Sequence, residues 1–385
     1  MKKTLSLLLT AVLLLAVLCG CGAAAEPDPA PAQAAAPTPQ NSAGTPADSG
    51  NTQETPEEPA ETSFTLIDAS GREVTLDCPR GGVTKVAVIN RYNLELLRAT
   101  GHLDEVVGVD SSIIENSVYW PEFRPEQSYG NQQEPNYELI AAMEPNCLLT
   151  PFVTDELVAA MEPFGIPVVS LIGYSTDLNA QVDIIEAMFG VTEKAEAFRA
   201  FYTEVDRMVD ECAAKIPEAE KKTAIWESIK EYSPATGKND WNLAMLRAGV
   251  ADPFADIDLS NAQVDAEGMI NANPDFIFKM VAGTGLDLSG YTPPSDDDYA
   301  AAAAAYTARP GFEAVKAVED GNVYFVTSFC YGGMGKLISS CYVGSIVYPE
   351  YFADLDPDAV FKTWMEDYQN ISFVSGHTAR LGDIQ

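Results

Sequence analysis

The 385-residue sequence predicts an α/β protein of two lobes, each with a central parallel sheet, joined by one long rigid α-helix. Three observations predict it. Short apolar runs alternate with helical periods along both halves of the chain, the pattern of parallel sheets covered by helices. Between the halves, residues 192–216 place Ala195, Phe198, Phe201, Tyr202, Val205, Met208, Val209, Cys212 and Ile216 at helical spacing, with charges between them. Two stretches, NYELIAAMEPNC (136–147) and DAEGMINANPDF (265–276), also share one plan. Each has a Glu near a helix start and an Asx-bearing proline turn before a strand.

The elements follow in order. Lys2 and Lys3 precede a nearly continuous apolar run over residues 5–18, an export signal too short to span a membrane. Its ending, Leu18-Cys19-Gly20-Cys21, resembles the bacterial lipobox, which implies that Cys21 is lipidated and becomes the mature N-terminus. The alternative is an ordinary cleavage site in which the cysteines serve as small residues. Residues 22–63 are rich in Ala, Pro, Thr, Gln and Ser, carry seven acids and contain no basic residue. Such a composition cannot bury enough apolar surface to fold. It reads as a disordered tether with a span of roughly 35 Å.

The strand FTLIDASGREVTL (64–76) reads as two short strands around Ser70-Gly71, and KVAVIN (85–90) as a strand buried on both faces. A loop of Arg91, Tyr92 and Asn93 leads into a helix over 94–100. Further strands are expected at 105–110, 147–150 and 167–171, with helices at 137–143 and 156–164. The bridging stretch 192–216 follows, capped by Thr192 and stopped by Pro217. Its 25 residues, at ~1.5 Å each, make a rod of about 37 Å. A long helix packed inside a single domain would show the same periodicity. Beyond it, strands are expected at 222–227, 275–280 and 322–326, and helices at 241–248, 266–272, 335–347 and 357–368. Within the acidic, alanine-rich insertion 287–306, the run Ala300–Ala305 reads as a solvated helix and Asp296-Asp297-Asp298 as a solvated loop and not a calcium site. The division is therefore 1–21 signal, 22–63 tether, 64–191 first lobe, 192–216 bridge and 217–385 second lobe.

The formal charge of −34 argues against nucleic acid or anionic lipid as partner, since both need basic patches. Past the signal, Cys78, Cys147, Cys212, Cys330 and Cys341 are odd in number, so at least one is a free thiol. No structural disulfide is expected, and Cys330 with Cys341 is the one pair worth checking. With only His102 and His377, the chain lacks the His/Asp/Glu cluster of direct zinc or manganese binding. Gly173-Tyr174-Ser175-Thr176-Asp177 lacks the last glycine of a hydrolase elbow. Gly332-Gly333-Met334-Gly335-Lys336-Leu337 fails the spacing of a phosphate loop.

Taken in order, FTLIDASGREVTL, KVAVIN, NYELIAAMEPNCLL, AEGMINANPDFIF, RPGFEAVKAVEDGNVYFV and VYPEYFADLDPDAVFKTWMEDY resemble the class III substrate-binding proteins of ABC importers. Those serve iron-siderophores, haem and cobalamin. The resemblance covers most of residues 64–368 and implies the helical-backbone periplasmic-binding-protein fold with only small lobe closure. It implies an ABC permease and its ATPase as partners, a small-molecule metal chelate as ligand, a membrane reached through the lipid anchor, and a monomer without enzymatic activity or resident cofactor. It also implies permease docking by Glu138 and Glu267. Read from position alone, each is a helix-start acid that complements the helix dipole.

Ligands of open parallel sheets sit outside the carboxyl ends of the strands. There the first lobe offers Asn90, Arg91, Tyr92, Tyr119, Trp120, Phe152 and Tyr174. The second offers Lys230, Tyr232, Lys238, Trp241, Lys279, Tyr331 and Lys336. Flat aromatics with a few cations suit a large, partly apolar, anionic or metal-chelate ligand. The leading expectation is a ferric-siderophore-type chelate, with the metal held by its chelator. A cobamide or haem, lying flat on Trp120 and Trp241, is the alternative. A surface lipoprotein enzyme acting on wall or glycan material is the third reading.

Overall fold

A computed structural model describes residues 62–237, 240–257, 263–281 and 292–384. The signal, Cys21 and the tether up to residue 61 lie outside the described residues, as does Lys238. Among the described residues no helix is long and apolar enough to cross a membrane.

Strands β1 (Phe64–Ile67) and β2 (Glu73–Leu76) form the expected hairpin, in which alternate residues are buried. Its turn is organised by the buried Asp68 carboxylate, which accepts from the backbone N–H of Ser70 (2.9 Å), Arg72 (3.0 Å) and, across the lobe, Ser170 (3.1 Å). A carboxylate removed from water needs that many donors.

The first sheet holds β3 (Val86–Val88), β4 (Val106–Gly108), β5 (Cys147–Thr150) and β6 (Val168–Ser170), all parallel, in the order β4-β3-β5-β6. Around it run α1 (Arg91–Thr100), α2 (Ser111–Glu115), α3 (Tyr137–Ala142), α4 (Asp155–Met161) and α5 (Leu178–Phe189). The loop expected at Arg91, Tyr92 and Asn93 is instead the first turn of α1. Asn90, at φ 89°, caps it, its side chain accepting from the Tyr92 N–H. Asn tolerates the left-handed region and supplies the oxygen a helix start needs.

Helix α6 (Glu193–Ala213) is the bridge. Thr192 caps it as expected, accepting from the Ala195 N–H at 2.9 Å. It ends at Ala213 and leaves Ile216 in the following turn, so the rod is 21 residues and about 31 Å long. Ala195, Phe198, Tyr202, Val205, Val209 and Cys212 are its buried face.

The second sheet holds β7 (Ala224–Glu227), β8 (Phe276–Met280), β9 (Val323–Val326) and the antiparallel edge strand β10 (Thr378–Arg380), in the order β10-β9-β8-β7. Its helices are α7 (Asp240–Arg247), α8 (Ala266–Ala272), α9 (Asp296–Thr307), α10 (Lys316–Glu319), α11 (Gly333–Val347) and α12 (Pro357–Thr363). A π turn, Trp364–Tyr368, extends α12. The two sheets share a plan: β3-β5-β6 and β7-β8-β9 are parallel triplets, with α3 before β5 and α8 before β8. The parallel bridge of Thr223 to Ala251 stands where β4 stands in the first sheet.

The reading of Ala300–Ala305 as a solvated helix and of Asp296–Asp298 as a loop needs correction, since both belong to α9. Tyr299, Ala303 and Tyr306 bury one face of α9 in the second lobe's core. Asp296, Asp297 and Asp298 form its first turn, with Ser295 and Asp298 closing a capping box. Cys78, Cys147, Cys212, Cys330 and Cys341 are all buried free thiols.

Each sheet has one private core. Ile140, Leu148, Leu157 and Met161 pack on one face of the first, and Met269, Phe312, Val315 and Phe325 on one face of the second. The opposite faces merge into a single apolar cluster that runs from Leu97 and Val182 through Phe198 and Val209 to Trp226, Ile338 and Trp364. Helix α11 is buried on nearly every side within it, as suits a helix that is mostly apolar all round apart from Lys336 and its serines. The chain after α12 returns to the first half. There Trp364 lies 5.8 Å from Phe198, and the buried Gln369 donates to Glu95 O and accepts from the Tyr119 hydroxyl. The lobes are joined by shared packing as well as by α6.

Candidate ligand-binding site

The carboxyl end of β3 leads through Asn90 into α1, which places Arg91 and Tyr92 at the junction of the lobes. Arg91 Nη2 donates to the Tyr92 hydroxyl at 2.7 Å, and its guanidinium lies 4.7 Å from the Tyr92 ring centre. Burial pushes the Tyr92 phenol up to about 12, with Arg91 opposing the shift. At neutral pH its hydroxyl is therefore protonated.

From the other lobe comes the glycine run at the start of α11. A Cβ on Gly332 would stand 2.3 Å from the Tyr92 ring, and one on Gly173 would meet Tyr92 O at 2.3 Å. Only glycine permits this approach. The Gly333 N–H donates to Gly173 O at 3.2 Å, and the buried Lys336 Nζ donates to Tyr174 O at 2.5 Å. Lys336 Nζ also lies 5.0 Å from the Tyr174 ring centre. Trp241, opening α7, donates through Nε1 to Cys330 O at 2.9 Å. Burial raises the Cys330 thiol, and the charges of Lys336 and Arg91 oppose that shift, so both cations are near it. The run rejected as a phosphate loop is thus the point where the lobes touch.

Arg91, Tyr92, Tyr174, Lys336 and Trp241 therefore come together from both lobes. Phe152 joins them at the edge, its ring 6.3 Å from that of Tyr174. Asn90 is mostly buried, and its Oδ1 serves as helix cap. Tyr331 belongs to a 3-10 turn, Ser328–Tyr331, just before α11.

Tyr119 and Trp120 do not line the site. Both are buried, and Arg98 at the far end of α1 stacks over the Trp120 ring at 4.0 Å while donating to Tyr119 O at 2.8 Å. The segment after β4 folds away from the strand ends because this guanidinium, also paired to Glu122 at 2.8 Å, draws it down.

In the second lobe the strand ends are occupied by the protein itself. Glu227, closing β7, is fully buried and takes a fork from Arg309 Nη1 (2.9 and 3.0 Å) and the Tyr232 N–H (2.8 Å). The Arg309 guanidinium lies 4.1 Å from the ring centre of Tyr306, with Tyr232 and Phe312 at 5.2 and 5.3 Å. Lys279, expected to meet ligand, instead donates to Ser228 O (2.5 Å) and Ile229 O (3.0 Å), with Glu227 Oε1 at 3.7 Å. Burial lowers it to about 8, the Glu227 charge opposing the shift and Arg309 adding to it. It fastens the loop after β7. Tyr232, at φ 56°, is held by that same network, and Lys230 is exposed and bonds to Gln263. Glu227 and Arg309 were missed by the sequence reading. The one signal was an acid ending an apolar strand, which burial forces to find a cation.

The first lobe also has a cavity of about 430 Å³ beside the ends of β3 and β5, walled by Phe152 and Tyr137 and by a loop carrying Gln132 and Gln133. Those two glutamines lie outside every stretch singled out from the sequence, and Tyr137 was read only as a helix start. Glu138 and Glu267 are both exposed in the first turns of α3 and α8, behind the caps Asn136 and Asp265.

Two α/β lobes that meet at a junction lined from both sides define a two-lobed solute-binding protein. A family model described as periplasmic binding protein matches residues 86–328, more than half of the chain. The chain belongs to that family, the extracytoplasmic solute-binding components of ABC importers. No curated protein matches the sequence. Among solved structures, the TroA-like periplasmic binding protein FepB of Veillonella parvula is similar at TM-score 0.68 and 21% identity, over 82% of this chain and 99% of that one. The molybdate periplasmic binding protein MolA of Haemophilus influenzae is similar at TM-score 0.63 and 16% identity, over 81% and 99%. A periplasmic heme-binding protein of Pseudomonas aeruginosa is similar at TM-score 0.54 and 18% identity, over 70% and 94%. These identities speak for a common fold.

Proposed function

We propose that the chain is a lipoprotein, anchored through Cys21 to the outer face of the cytoplasmic membrane, that captures a ferric-siderophore-type chelate and delivers it to an ABC permease. The observation that carries this reading is the group of Arg91, Tyr92, Tyr174, Trp241 and Lys336 drawn from both lobes to one junction. Aromatic faces give wide contact to an organic chelator, and two cations suit its anionic oxygens. In this reading the chelator supplies every metal ligand, and the protein binds and hands over its cargo without chemistry. Metal-bearing cargo in proteins of similar fold, molybdate in MolA and heme in the Pseudomonas protein, supports it as analogy. A cobamide or haem keeps Trp241 as a stacking surface and loses Trp120 to the core, which weighs against it.

Thermal unfolding of the full chain tests the cargo against ferric catecholate, hydroxamate and carboxylate siderophores, haem, cobalamin and free ferric ion. A ligand at a hundred times its Kd adds about 2.7 kcal/mol of stability. Stabilisation by one siderophore class is the expected result, and stabilisation by haem or cobalamin alone overturns it. Docking rests on Glu138 and Glu267. Replacing both by Ala should abolish uptake and leave ligand affinity unchanged, and surviving uptake would remove their assignment.

A further inference from the structure

The cavity beside the first sheet differs in chemistry from the junction it adjoins. Every residue lining it is uncharged. Among the described residues, the carboxamides of Gln132 and Gln133 and the hydroxyl of Tyr137 hydrogen-bond to no protein group, although all three residues line the cavity. Donors and acceptors of this kind are satisfied by a guest that offers both an N–H and a carbonyl. None of these residues offers a counter-charge to a charged guest. Phe152, 52% exposed although a large aromatic, gives a flat wall, and its plane lies at 31° to that of Tyr174. Phe152, in the cavity wall, lies 6.3 Å from the Tyr174 ring, and Lys336 Nζ lies 5.0 Å from that ring. Its volume of about 430 Å³ lies in the range of small-molecule pockets.

We propose that this cavity is a subsite for an uncharged, planar, hydrogen-bonding arm of the ligand, an aryl amide in chemical class, entered from the lobe junction past Phe152 and Tyr174. The inference rests on the reading that the junction holds the ligand. It makes that ligand two-part, with anionic oxygens toward Arg91 and Lys336 and a neutral aromatic amide on the first lobe.

The test titrates the full chain with benzamide, benzoate and benzamidinium, which share ring and size and differ in charge. Side-chain amide resonances of Gln132 and Gln133 report the place of binding. Benzamide should bind at least about tenfold more tightly than either ion and shift those resonances. Phe152→Ala should weaken benzamide by about tenfold. Absence of benzamide binding, equal binding of an ion, or indifference to Phe152→Ala overturns the proposal. The ferric-chelate panel, repeated on Phe152→Ala, separates it from the cargo reading. A chelate held equally by both proteins ends the subsite and keeps the cargo. Benzamide held at the glutamines with no chelate bound ends the cargo and keeps the subsite.

Discussion

At the carboxyl ends of β3 and β5 the first lobe leaves a cavity whose glutamine and tyrosine side chains hydrogen-bond to no protein group among the described residues. At the carboxyl ends of β7 and β8 the second lobe fills the equivalent region with Glu227, Arg309 and Lys279, wrapped by Tyr232, Tyr306 and Phe312. One strand plan thus serves two purposes. The first lobe leaves side chains lining an open cavity, and the second uses its own to hold the loop after β7 in place. What the second lobe offers at the junction comes instead from α7 and α11, through Trp241 and Lys336.

The comparison breaks most readily at Arg309. Arg309→Met leaves Glu227 buried without its cation and should cost about 3–5 kcal/mol in denaturant unfolding. Arg91→Ala, at the half-buried junction, should cost less than about 1 kcal/mol of stability while weakening ligand binding tenfold or more. Equal stability losses would mean that both strand ends are structural. The two tryptophans sharpen the contrast. Trp120→Ala should cost about 3–5 kcal/mol with ligand affinity of the folded protein unchanged, because the indole and Arg98 form core. Trp241→Ala should weaken binding more than it lowers stability, and a Trp120 variant with weakened binding would return that residue to the site.

Gly332→Ala forces a Cβ against the Tyr92 ring and should cost about 1–3 kcal/mol, with altered ligand affinity as the lobes part. The smallest effect is a pH dependence. Burial holds Lys279 near 8 when folded, below its ordinary value near 10.5, so the unfolded chain binds the extra proton between those values. Stability conferred through Lys279 should therefore rise as pH climbs from about 8 to about 10.5. The unfolding midpoint of the parent protein relative to Lys279→Met should move upward over that window, and a flat difference would remove the shift.

Much of the fold was legible because its signals are local. Val86–Val88 and Cys147–Thr150 are short apolar runs that admit one reading, and Thr192 and the spacing of Phe198, Tyr202, Val205 and Val209 mark a helix with one buried face. The site was half legible for the same reason. The rule that ligands meet strand ends gathered Arg91, Tyr92, Phe152, Tyr174, Trp241 and Lys336, which the structure brings together at the junction. It also gathered Tyr119, Trp120 and Lys279, because nearness in sequence to a strand end does not say which way a side chain is drawn.

By itself, then, the sequence determined the order of the parallel strands, most of the helices between them, the helical bridge and the repeated plan of the two halves. Each follows from periodicity and capping within a few turns of chain. Only the tertiary structure decided that Arg98 pulls Trp120 into the core, that Arg309 reaches Glu227 across 82 residues, and that Gly332 meets Tyr92. Those choices depend on burial and on partners far apart in the chain. A cation goes where a buried carboxylate or an aromatic face must be satisfied, and no local pattern records where that will be.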